Sequence, residues 1–452
     1  MTRKYLSLMM GVATAALVTG APSAFAQVAI NQTTINNDAI TNLGTIGTGA
    51  GNLAGGASVS ISASGAVSST SATAINQDFN TPKIGAVTSG ATNTGNVTNT
   101  GTLTTGLGSA GAGSSVSVGA SGAVSALSVT SIGDPTDATA GSFSGQTVGN
   151  VIQGGKDNLI TNSAAIKNTG TVNASSLTMS GSGASAAVSA TGAVASVSVT
   201  SINPTSSALD TIGTVNQTVS NTGAITNTSG AVGASPVVGI TVGALSGDGA
   251  SASVGATGAA ASVSVASIGS GDPTVAGTVA GTKIGDVTQS ATNGKGSSVT
   301  NTGNIKTGEV SGSGAGVSIG ATGAMASVSL SSIDRSLSGT TNTVGATNQT
   351  ASNSGSVVNT GIISSGPLSG IGSSASISAT GAASSFSVSD INTSSSGVPV
   401  LGNITQATTN NAGGSVNNTG TITVAAGNMG AGASAAVSAM GAGSFVSFRS
   451  VK

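Results

Sequence analysis

The chain has no cysteine, no histidine and no tryptophan, one tyrosine, six phenylalanines and eight prolines, and only 5% of its residues are charged. Without cysteine no disulfide staples the fold, and lipid anchoring at a cysteine is excluded. Without histidine and cysteine, catalysis loses its commonest base and its strongest thiol nucleophile. Glu309 is the one glutamate. The aspartates are scattered, as at Asp134, Asp272, Asp286 and Asp334, where turn initiation accounts for them. A calcium site would need several clustered oxygen ligands, and a glycan-cleaving site would need clustered acids. The reading is therefore of a protein that is not an enzyme, with no cofactor and no metal site. Eleven lysines and arginines in 452 residues supply neither a nucleic-acid-binding surface nor a polybasic membrane patch.

What is present begins with an export signal at residues 1–26. Arg3 and Lys4 form the charged start, Tyr5 to Val18 the apolar run, and Ala24-Phe25-Ala26 the small-residue cleavage site. The apolar run is too short to span a membrane, and no transmembrane segment is expected after it. Removing Arg3 and Lys4 leaves nine basic and twelve acidic residues, a net charge of −3. The expected location is secreted, extracellular or on the outer cell surface, with the periplasm as the other compartment such a signal reaches.

A rigid twenty-residue block follows in seven copies, seen clearly as GASAAVSATGAVASVSVTSI at 183–202. Its central glycine is Gly65, Gly122, Gly192, Gly258, Gly323, Gly381 and Gly441 in turn, and another glycine stands nine residues before each. Before the central glycine, Val or Ile at −4 and Ala at −2 alternate with small polar residues, the period of a half-buried strand. After it the phase changes: the large apolar residues stand at +5 and +7, flanking a serine at +6 that is present in every copy. A straight strand keeps its parity, so the flip predicts a corner, a bulge or a turn near the glycine, with a positive φ that glycine tolerates. A two-residue hairpin and a solenoid corner both satisfy the pattern.

Successive central glycines are 57, 70, 66, 65, 58 and 60 residues apart, so the chain divides into repeats at 27–75, 76–132, 133–202, 203–268, 269–333, 334–391 and 392–452. Each connector carries a glutamine, at Gln32, Gln153, Gln217, Gln289, Gln349 and Gln406, with Ser89 in the second repeat. An Asn-Thr-Gly-x-(Ile/Val/Leu) string follows, as at 99–103, 168–172, 301–305, 359–363 and 418–422. In the fourth repeat, Asn221 fits the string and Asn227 fits the distance from glutamine. The glutamines read as a ladder inside a stack, the Asn-Thr-Gly strings as turns that lead into strands. No proline lies inside a block, where it would remove a ladder hydrogen bond. No helical periodicity appears. The expected fold is all-β, a repetitive β-solenoid or stacked β-hairpin array of seven repeats of about 60 residues, with stability arising between neighbours.

The Asn-Thr-Gly-x-Ile strings, as in Val299-Thr-Asn-Thr-Gly-Asn-Ile305, resemble coils of autotransporter passengers and large bacterial surface adhesins, which are parallel β-solenoids. The recurring Gln and Asn are distantly similar to curlin, a secreted amyloid subunit. The resemblance implies a secreted structural or adhesive protein of the bacterial cell surface, extracellular matrix or biofilm. It implies self-association or contact with other surface components, and no nucleic acid. A curlin-like fibre subunit is the alternative, and a glycan- or ice-binding module a lesser one. Against ice binding, the Thr-x-Thr pairs at Thr102/Thr104 and Thr421/Thr423 give way to Asn304/Lys306 and Ile362/Ser364. The seventh repeat carries Phe445, Phe448, Arg449 and Lys452 where other copies have mostly Ser, Val or Thr, which makes it a candidate cap.

Overall fold

The structure is a computed structural model that describes residues 28–75, 83–132, 147–154, 159–174, 178–202, 210–229, 239–268, 282–334, 343–392, 400–425 and 429–451. The signal at 1–26 and the segments holding Pro82, Pro135, Pro204, Pro236, Pro273 and Pro399 lie outside the described residues.

The protein is all-β, with no helix among the described residues. Its strands stack in three sheets of 13, 10 and 7 strands. Each repeat is one coil that visits three walls in turn. In the fifth coil, Thr282–Ile284 and Val287–Asn293 lie in the first wall, Ser298–Lys306 in the second and Gly316–Asp334 in the third. Each strand pairs in parallel with its equivalents in the coils before and after: Gly316–Asp334 runs between Ser251–Ile268 and Ser374–Asn392 in unbroken residue-for-residue register. A hairpin inside the block would have produced antiparallel pairing across the central glycine, so the solenoid is the arrangement found. Seven such strands at about 4.8 Å spacing make a stack roughly 30 Å tall, while an 18-residue strand at about 3.3 Å per residue runs near 60 Å. One chain is thus wider than it is tall.

The parity flip falls where the sequence puts it. In the third coil Ala184, Ala186, Val188 and Ala190 are buried, then Ala193, Ala195, Val197 and Val199. Gly192 and Ala193 both face inward, and the third wall folds there like a creased plate. The half before the crease covers the second wall: Val188, Val254 and Ile319 cluster with Ile240, Ile305 and Ile363. The half after it covers the first wall: Val197, Val263 and Val328 cluster with Val151, Val215 and Val287. Alanines line the crease on both sides. Their small size lets the walls meet without leaving a void.

The glycine conformation differs from expectation. The central glycines sit inside continuous strands and are not among the positive-φ residues. The positive φ belongs to the glycine nine residues earlier, +70° at Gly183 and +67° at Gly249, in a tight turn closed by Ala184 N–H donating to the Gly181 carbonyl at 3.1 Å. Crease and turn are separate devices, one at each end of the inward half-strand.

Among the described residues the first and last coils each have a neighbour on one side only. The seventh coil pairs with the sixth in the common register. On its far side Val437, Phe445, Val446 and Phe448 are 49%, 52%, 49% and 58% exposed.

Candidate functional site

The most ordered chemistry in the molecule is a set of three amide ladders running up its interior. Five of the six glutamines expected to stack form one of them. Gln217 Nε2 donates to Gln153 Oε1, Gln289 to Gln217, Gln349 to Gln289 and Gln406 to Gln349, each at 2.8–2.9 Å. The second amide hydrogen of Gln217, Gln289 and Gln349 goes to a carbonyl oxygen of the third wall, Ser262, Ser327 and Ser385 respectively. Each buried amide is thereby satisfied on both sides of the wall junction, which a lone buried glutamine could not achieve.

Gln32 stands apart, because Ser89 interrupts the column. The Oε1 of Gln32 accepts from Ser68 and Thr70 hydroxyls, and Ser89 pairs with Ser125 at 2.6 Å. Gln153 then donates to Ser125 instead of to a glutamine below. Ser125 stands where the third and fourth coils have Ala195 and Ala261, so an extra hydroxyl in the facing wall repairs the missing amide.

The Asn-Thr-Gly strings are not turns. They are second-wall strands with the asparagine fully buried in the inner coils and half-buried at Asn418 in the last, and the reason is again pairing: Asn99 Nδ2 donates to Asn168 Oδ1, Asn168 to Asn227 and Asn227 to Asn301, at 2.9–3.0 Å. A stacked amide removes the cost that made a turn the natural reading of a buried asparagine. Asn227, the residue at the right distance from glutamine, occupies the fourth rung. Asn221 belongs to a third ladder, which the sequence reading missed: Asn36, Asn93, Asn162, Asn221, Asn293, Asn353 and Asn410. Its signal is an asparagine four residues after the glutamine position in six of seven repeats, with only Asn162 displaced.

This third ladder explains the central glycine. A Cβ on Gly192 would lie 2.6 Å from Asn221 Oδ1 and 2.5 Å from the Gly258 carbonyl oxygen, and Gly258 and Gly323 meet the same two obstacles. Gly65, Gly122 and Gly381 are equally crowded, whereas Gly441 in the last coil is open, with nothing nearer than 3.7 Å. The central glycine is the seat of the next coil's asparagine.

No family model, curated protein or solved structure matches the chain. The functional reading therefore rests on the geometry.

Outside the walls the chemistry is plain. The described side chains of the third wall carry no charge; its outer face is mostly a column-by-column array of Ser, Thr, Ala and Gly, with the +6 serine in every row, interrupted by Val67, Val124, Val194 and Met325 in one column and by Met440 and Phe445 in the last coil. Asp38, Asp248, Asp286, Glu309 and the lysines at 167, 283, 295 and 306 are exposed on the other edges. Asp248 and Asp286 accept backbone N–H bonds from Ser313 and Ala346 of the next coil, which ties them to turns. Among the described residues no group of three acidic side chains lies together, and no helix is long and apolar enough to cross a membrane.

Proposed function

We propose that this is an exported structural and adhesive repeat protein of a bacterial cell surface or extracellular matrix, with no catalytic role. The observation that carries the proposal is the uncharged, regularly spaced hydroxyl face of the third wall, held rigid from behind by satisfied amide ladders. Such a face is roughly 60 Å by 30 Å from the strand dimensions. It meets the area of a specific protein interface, about 800 Å² per partner, with room to spare. A creased sheet stiffened by buried amides contacts a partner without the ordering cost that flexible loops incur.

The test combines location and contact. Cell fractionation with surface proteolysis should find the chain outside the cytoplasm, and cells lacking it should lose cohesion or attachment. Replacing Ser198, Ser264 and Ser329 together with lysine should impair attachment and leave the far-ultraviolet circular dichroism unchanged. Retention of the chain in the cytoplasm, or full attachment by the triple variant, would overturn the reading. A curlin-like fibre subunit is the second reading, favoured by one specific observation: a single chain is too short along its stacking axis to be a rod by itself.

A further inference from the structure

The two ends of the stack are complementary halves of the contact that every internal pair of coils makes. Inside the chain, a Cβ on Gly381 would meet Asn410 Oδ1 at 2.9 Å and the Gly441 carbonyl oxygen at 2.4 Å. Gly441 offers the same seat to an asparagine from one coil further on, and among the described residues nothing occupies it. At the other end, Asn36 donates to Asn93 Oδ1 and the Asp38 carbonyl. Its own Oδ1 accepts no hydrogen bond among the described residues.

A second lock has the same form. The aliphatic residue at −4 packs on the Asn-Thr-Gly glycine of the next coil, so that a Cβ on Gly420 would lie 2.7–3.2 Å from three atoms of Ile377. Val437 in the last block has no such cover and is 49% exposed. Gly44 in the first coil keeps the glycine but meets no aliphatic residue from a coil before it.

The ladders agree in polarity. Both asparagine ladders donate toward the C-terminal end, Asn353 to Asn410 and Asn359 to Asn418, whereas the glutamine ladder donates toward the N-terminal end. The last coil thus presents an amide hydrogen at Asn410 and an acceptor oxygen at Gln406, while the Asn418 amide donates to the Ile377 and Ser438 carbonyls as Asn359 does to Ile319 and Ser378 one coil earlier. The first coil presents oxygens at Asn36 and Asn42 and the amide of Gln32. Side-chain size fits too: the bulky Phe448 and Val446 end the column that begins with Ala72 and Thr70.

We infer that a second copy of this chain docks head to tail, its first coil on the seventh coil of the copy before, parallel and in register. Asn36 enters the Gly441 seat, Gly44 covers Val437, and all three ladders continue across the junction. This rests on the structural reading above but not on any adhesive target. The seventh coil, a candidate cap by its sequence, is a growth face instead, because Val437 is exposed and the Gly441 seat is open: unpaired parallel edges in all three walls are templates for further pairing, and here the matching edge belongs to the same sequence.

Thr45 and Thr421 are exposed and hold the same position in the first and seventh coils. In docked copies their Cα atoms would be one strand spacing apart, about 4.8 Å, which a disulfide can bridge. Thr45→Cys chains mixed with Thr421→Cys chains should give a cross-linked heterodimer on oxidation, while each variant alone stays unlinked. Gly441→Leu fills the seat where its own chain comes no nearer than 3.7 Å. It should raise the concentration needed for assembly in analytical ultracentrifugation by at least about tenfold, with circular dichroism and urea unfolding of the single chain unchanged. A chain that stays monomeric up to its solubility limit, cross-links within either single-cysteine sample, or Gly441→Leu assembling like the parent would each overturn the inference. A monomer still found at the cell surface would remove the stacking and leave the surface role; stacking by a chain that never leaves the cytoplasm would do the reverse.

Discussion

Gly249 and Gly258 stand nine residues apart in one block, both recur in all seven copies, and the fold keeps them for opposite reasons. Gly249 has φ of +67° and nothing within 4 Å of where a Cβ would be. It is held by its backbone alone, as third residue of the turn that feeds the strand. Gly258 has an ordinary strand conformation and no room: Gly323 O and Asn293 Oδ1 lie 2.5 and 2.6 Å from its would-be Cβ. It is held by its neighbours in space. An invariant glycine in a repeat thus reports either a dihedral angle or a close approach, and sequence spacing alone does not say which.

The largest expected effect is at the crowded glycine. Gly258→Ala forces a backbone carbonyl and a buried amide apart, and overpacking of this kind costs about 3 kcal/mol or more when backbone must shift. Gly258→Val should be worse. Ser262→Val, on the outer side of the same strand, is the control and should change little. Urea unfolding followed by circular dichroism gives the order; equal stability of Gly258→Val and Ser262→Val would mean that the coils are not packed through this seat.

Next is the asparagine that fills the seat. Asn293→Ala removes a donor to Asn353 and an acceptor from Asn221, and leaves both partners buried and unsatisfied, for about 2–3 kcal/mol. The comparison sharpens in the double variant. With Asn293 truncated, one of the two obstacles to a Cβ at position 258 is gone, so Gly258→Ala should cost less in that background than alone. Strict additivity in the double-mutant cycle would show that the asparagine does not define the seat.

Gly249→Ala is the smaller change among the glycines. The left-handed conformation costs an alanine about 1–2 kcal/mol, and the open space around it adds nothing. Gly249→Asn should cost less still, because asparagine tolerates this region. If Gly249→Ala proved as damaging as Gly258→Ala, the division between conformational and steric glycines would fail.

How much of this was legible beforehand follows from the same division. Periodicity needs only the identity of residues along one strand, so the seven repeats, the inward −4 and −2 positions and the parity flip at Gly192 could be read directly. The glutamine column could be read because one buried amide per repeat at fixed spacing has no better explanation than a ladder. The asparagines could not. Asn99 and Asn168 carry Thr-Gly after them, the local chemistry of a turn, and only the stack supplies the partner that makes burial acceptable. The Gly–Asn seat joins residues of successive coils through an insertion-bearing connector, so no short-range signal announces it. The −9 glycine is visible as a repeat marker, but its positive φ is not, because a strand that turns a corner at the central glycine and a strand that creases there give the same parity pattern.

The smallest predicted effect tests the packing of the first wall against the third. In the first wall, Val87, Val151, Val215 and Val287 stack in one column, and the next members are Thr347 and Ile404. Thr347 is fully buried and its hydroxyl has no hydrogen-bond partner. Valine has nearly the same shape, so Thr347→Val replaces an unsatisfied hydroxyl with a methyl group that the flanking Val287 and Ile404 already suit. Removing a buried orphan polar group in this way is worth about 1 kcal/mol, which in a protein of this size is a rise of roughly 1–2 °C in the unfolding midpoint. Thr350→Val, three residues on and facing outward, should show no such gain. Destabilisation by Thr347→Val would mean that its hydroxyl has a partner, and that the column does not accept an apolar residue at this position.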